Sequence, residues 1–174
     1  MILGMSLSTF TVVHVVLSLI GIAAGLVAAA GMLASRTMPG ITALFLFSTL
    51  LGNVTGLFFP SLNFGLGHAV GITSLLILLP TFVALYLHHL DGPWRWIFST
   101  GALAALWLNS VIAVMQSFAK MAMLRPFANA ETVLWSQLTL FLVFALWGAL
   151  AARLFRPEIV APRPPQWWNA TGHC

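Results

Sequence analysis

His14, His68, Asn109, Gln116, Lys120 and Gln137 are polar side chains that this sequence sets inside, or at the mouths of, long apolar runs. A polar group in such a run is costly unless it finds a partner, so each one marks either a function or a structural bond. Two imidazoles on facing helices, His14 and His68, could be the axial ligands of a b-type haem. The same imidazoles, with the Asn and Gln amides, could instead hydrogen-bond a quinone or another lipophilic ligand. The third reading is a buried polar network that fixes how helices meet and does nothing more. It is the default, because lone interior histidines are mostly satisfied structural groups. For haem, two histidines are the minimum, and nothing in the sequence fixes their separation.

Other chemistries find less support. His88-His89 beside Asp91 suggests a metal site, but neighbouring residues on a helix point about 100° apart and cannot easily share one ion. The plainer expectation is an interfacial pair. Met115, Met121 and Met123 with His68 would suit the soft ion Cu(I), though ordinary membrane packing explains methionines there. The three acidic residues, Asp91, Glu131 and Glu158, all lie outside the apolar runs, so no paired carboxylates are available for a proton relay within them. The one cysteine, Cys174, excludes an intrachain disulfide and a cysteine zinc site, and as the last residue it is not placed for prenylation. No conventional catalytic constellation emerges.

The elements that must position these residues follow from composition. Of 174 residues, 60% are hydrophobic and 6% charged. A soluble surface needs roughly 25% charged residues, so the solvent here is mostly lipid. The net charge of +4 comes from seven scattered Lys and Arg residues; they form no stripe for nucleic acid, and they set orientation instead. A span takes about 20 apolar residues. Apolar runs extend over 8–35, 40–60, 67–87, 94–119 and 132–152. The expected fold is therefore all-α: a polytopic bundle of five transmembrane helices over residues 1–156, with a proline-rich tail over 157–174. Four helices are the alternative, because Pro80 interrupts the third run. The N-terminus lacks the basic region of a signal peptide, so the first apolar segment is expected to be retained.

Arg36, Arg95, Arg153, Arg156 and Arg163 fall on one side of this arrangement, Lys120 and Arg125 on the other. The positive-inside rule then puts the N-terminus outside and the C-terminus in the cytoplasm, where the sequon Asn169-Ala-Thr171 is a coincidence. His14, Ser18, Gly21 and Gly25 step by four, three and four, so they share one helix face, and small residues there admit a close neighbour. His14 should thus face protein. With this topology His14, Asn53, Thr55, His68, Gln116, Lys120 and Gln137 fall in the outer half of the bilayer, with Asn109 more central. His68 is expected at the mouth of the third helix, within side-chain reach of the Gln116–Lys120 end of the fourth.

The stretches "VTGLFFP" at 54–60, "HAVGITSL" at 68–75, "GPWRWIF" at 92–98 and "LWLNSVIAVMQSFAK" at 106–120 carry a resemblance. With them the chain resembles a family of small bacterial inner-membrane proteins over most of residues 10–156. The resemblance implies an inner-membrane location and groups Thr55, Pro60, His68, Arg95, Asn109, Gln116 and Lys120 as a set, with no mechanism attached. In such relatives the loop after the lysine is richer in proline and acid than "MAMLRPFANAE". The expected role is an accessory or structural subunit of a bacterial inner-membrane assembly, an electron-transfer complex being one setting. The lipid bilayer and other membrane subunits are the expected partners, the latter through Trp167 and Trp168, a residue type enriched at binding hot spots. The rival is a redox or ligand-binding protein that holds haem b or quinone in the outer polar cluster.

Overall fold

The computed structural model describes residues 2, 4–59 and 65–157. It is 82% helical. Helix α1 spans Leu7–Leu33, α2 Pro39–Leu57, α3 Leu66–Phe82, α4 Trp94–Lys120 and α5 Ala130–Leu154. A π turn over Val83–Leu87 continues α3, and a 3₁₀ turn at Arg125–Phe127 precedes α5. All five helices are long and apolar enough to cross a membrane. With α3 taken on through its π turn to Leu87, the apolar runs read from the sequence match the spans to within three residues at every end. Trp167, Trp168 and the rest of the tail from Glu158 lie outside the described residues.

The helix ends have local causes. Ser6 caps α1 by accepting from the Thr9 N–H at 3.1 Å, and Asn129 caps α5 by accepting from the Thr132 N–H at 2.8 Å. Pro39 opens α2, where its missing donor costs nothing. At the end of α1, Arg36 N bonds Gly31 O at 2.9 Å and Ser35 N bonds Met32 O at 3.1 Å. This is a Schellman closure, but the left-handed position usually given to glycine holds Ser35, at φ 53°.

Pro80 does not divide the third span. Without an N–H it removes one intrahelical bond, yet α3 passes through it and then widens, with His88 N bonding Val83 O at 3.1 Å. Five spans are therefore seen rather than four. The turn into α4 is tight, with His89 at φ 48°, Leu90 at 65° and Gly92 at 52°. Leu90 is buried and bonds Ala84 O through its N–H, which holds a branched residue in a conformation costing about 1–2 kcal/mol.

Lipid is as apolar as leucine, so helices in a bilayer associate through close packing and hydrogen bonds. Helix α4 is central and packs on the other four, α1 packs most extensively on α2, and α5 is held at the edge against α4 and α1. The tightest crossing is at Gly25. A methyl group there would come within 2.6 Å of Leu106 Cδ1 and 2.8 Å of the Phe45 ring, so α1, α2 and α4 meet at that point only because residue 25 has no side chain. Gly101 of α4 likewise lies against Thr81 of α3.

Candidate functional site

The expected face of α1 is turned onto α2. Gly21 sits over Thr49 and Ser48, and Gly52 of α2 sits over Ser18. One turn further, the His14 Nδ1 atom lies 3.0 Å from Thr55 Oγ1. Gly56 makes room for the ring, since a Cβ there would stand 3.4 Å from His14 Cε1. The ring also meets Phe59 edge-on, with centroids 5.1 Å apart, and Phe59 packs on Phe10.

The hydrogen bonds assign the histidine tautomer. Thr55 has one hydroxyl proton and places it on the backbone, with Leu51 O at 2.8 Å and Gly52 O at 3.0 Å. With the proton on the backbone its oxygen accepts from His14, the arrangement in which Nδ1 carries the hydrogen. Nε2 is left with its lone pair, a hydrogen-bond acceptor. Lys120, at the far end of α4, lies near enough for its charge to act on this imidazole.

Below His14 the polar residues pair across helices. Asn53 Nδ2 donates to Ser74 Oγ at 2.8 Å, joining α2 to α3 through two buried side chains. Asn109 Nδ2 donates to the fully buried Thr49 Oγ1 at 3.3 Å, joining α4 to α2. Gln137 Nε2 donates to Val111 O at 3.3 Å, joining α5 to α4. Helix α2 is the hub, with Thr49, Asn53 and Thr55 each taking a different neighbour.

The candidates are thus divided. His14 and Asn109 both bond to α2, whereas Gln137 stands apart in the α4–α5 seam. Gln116 and Lys120 are exposed. His68 is half-buried in the first turn of α3 and engaged there. Helices α1 and α3, which carry the two imidazoles, both pack on α2 and share no substantial contact with each other. His88 stacks flat on Trp94, centroids 3.7 Å apart. Among the described residues no three His, Cys, Asp or Glu side chains gather as a metal-ligand set.

Several structural participants carry no signal in the sequence. Thr49 lies one turn before Asn53 on the same face of α2 and looks like any span threonine. Trp147 Nε1 donates to Ala29 O at 3.3 Å, and Ser35 Oγ donates to Leu154 O at 2.6 Å. Trp107 Nε1 and Gln137 Oε1 are buried without partners among the described residues. They belong to one seam, since Trp107 packs edge-on against Phe141 while Gln137 reaches Val111. An orphan donor and an orphan acceptor so placed suit a bridging water. Searches against family models, curated proteins and solved structures return no match to this chain.

Proposed function

We propose that the chain is a non-catalytic accessory or structural subunit of a membrane assembly, in a bacterial inner membrane. The observation that carries the reading is the use made of the interior polar groups. His14, Asn53, Asn109, Gln137 and Trp147 each bond a neighbouring helix, which suits a rigid shape better than an open path for a solute. The face such a scaffold offers is on α5, which buries only Phe144 and Ala151. One side of it, which carries Thr132, Trp135, Ser136, Thr139, Leu140 and Val143, lies open. Small hydroxyl residues let another backbone approach and can bond across to it, so the occupant we assign is one transmembrane helix of a partner subunit.

A photo-crosslinking residue at Thr139, with a second version at Leu79 on lipid-exposed α3, tests this in the native membrane. A single discrete adduct from position 139 and none from 79 is expected. No adduct from 139, or the same pattern from both positions, would remove the reading.

The second reading is a ligand site at the outer cluster, favoured by the fixed His14 tautomer. Its Nε2 lone pair can accept from a quinol hydroxyl, with Lys120 in electrostatic range. Oxidised and reduced absorbance spectra of the purified protein, with solvent extraction of quinones, decide it. A Soret band would point to haem, and a stoichiometric quinone to the hydrogen-bonded ligand. The absence of both would leave the scaffold.

A further inference from the structure

The end of the bundle opposite His14 carries Arg36 just after α1, Arg95 in the first turn of α4, and Arg153 and Arg156 at the end of α5. Two of them, Arg36 and Arg156, are drawn around one crossing, while the Arg95 guanidinium lies over the Trp96 ring, 5.9 Å from its centroid. Ser35 Oγ donates to Leu154 O at 2.6 Å and accepts from Arg156 N at 3.3 Å. Arg36, the next residue along, and Arg156 therefore flank the same point. Phe155 between them is buried and packs on Phe98, centroids 6.0 Å apart. Arg95 precedes Phe98 by three residues, one turn nearer the end on the same face of α4.

Among the described residues these cations have no counter-charge in contact with them. Among the described residues Asp91 is the one carboxylate at this end, and no ion pair takes up any of the arginines. Arg95 Nε is buried with no acceptor, a group that calls for one from outside the described chain. Beside them Arg36 forms part of the wall of a cavity of ≈ 60 Å³ whose other walls include Met32, Phe98 and Phe155. Cations over an apolar recess, at the depth where a span ends, match an amphipathic anion.

We infer that this end binds the phosphate-bearing headgroup of an anionic phospholipid, with Arg36, Arg95 and Arg156 around the phosphate and the recess under the glycerol esters. Guanidinium groups suit phosphate oxygens in particular, because they can donate two parallel hydrogen bonds. Basic pockets between membrane helices recognise anionic headgroups by this chemistry.

The test is native mass spectrometry of the full chain from micelles holding equal amounts of phosphatidylglycerol and phosphatidylcholine. Wild type is expected to retain phosphatidylglycerol preferentially. Arg36→Gln and Arg156→Gln should each lower that preference about fivefold, the worth of one basic residue near an anionic surface. The double variant should abolish it, and the single variants keep the test readable if the double does not fold. Arg125→Gln, at the opposite end, should leave the preference intact. Equal retention of the two lipids by wild type overturns the assignment, as does a preference that survives in both single variants. Displacement of the lipid by millimolar inorganic phosphate would assign the site to a free anion and also overturn it.

Discussion

A hydroxyl group has one proton, and at Thr55 the backbone takes it, which is what orients His14. Thr55→Val keeps the shape but removes the acceptor. Interhelical hydrogen bonds in membranes average about 0.6 kcal/mol and reach about 1.7, so a stability loss in that range is expected, with Thr55→Ser near wild type. Nitrogen-15 NMR of labelled histidine should show His14 as the Nδ1–H tautomer in wild type and a mixture in Thr55→Val. A pure Nε2–H signal in wild type would refute the assignment. Ser35 allows a sharper comparison. Ser35→Gly relieves the left-handed backbone but loses both bonds to α5, while Ser35→Ala loses the bonds and keeps the strain. Unfolding in denaturant should rank wild type above Gly, and Gly above Ala by about 1 kcal/mol. A glycine variant as stable as wild type would show that the hydroxyl contributes nothing. The histidine was legible in the sequence because small residues repeat on its face. Ser35 was not, since its partners come from a helix more than a hundred residues away.

At the scale of elements, each span announced itself through length and lack of charge, which lipid demands of any crossing segment. Their neighbours did not. By composition α4 and α5 are equally apolar, yet α4 is the most buried helix and α5 the least. In lipid an outward face and an inward face can both be apolar, so hydropathy cannot distinguish edge from centre. What does distinguish them is the placing of small residues. Gly25→Ala sets a methyl group against the buried Phe45 ring and Leu106, and overpacking of this kind costs about 1–3 kcal/mol. Gly40→Ala, where a Cβ meets nothing within 4 Å, is the matched control and should change stability little. Equal melting temperatures for the two variants would mean that the three-helix crossing is looser than its distances imply.

For the whole molecule, orientation rests on charge. Arg36, Arg95, Arg153 and Arg156 gather at one end, Lys120 and Arg125 at the other. In a Cys174→Ser background, Ala122→Cys should react with an impermeant maleimide in intact cells, and Thr37→Cys only after the membrane is opened. The reverse pattern would invert the topology and put the arginine end outside.

The two side-chain bonds that tie α5 back to the first helix and its closing turn, Trp147 to Ala29 and Ser35 to Leu154, join residues 118 and 119 positions apart. A ribosome delivers the second partner of each pair more than a hundred residues after the first. Until α5 is inserted, the left-handed serine after α1 is held by the backbone bonds of its own Schellman closure alone, with no partner on α5 for its hydroxyl. Helix α5 thus fastens a turn made long before it, while α1 to α4 already pack on one another around α4. Cleavage by a membrane protease in the 33–38 turn would then report whether α5 is in place, with chains lacking that helix cut there sooner than chains that have it.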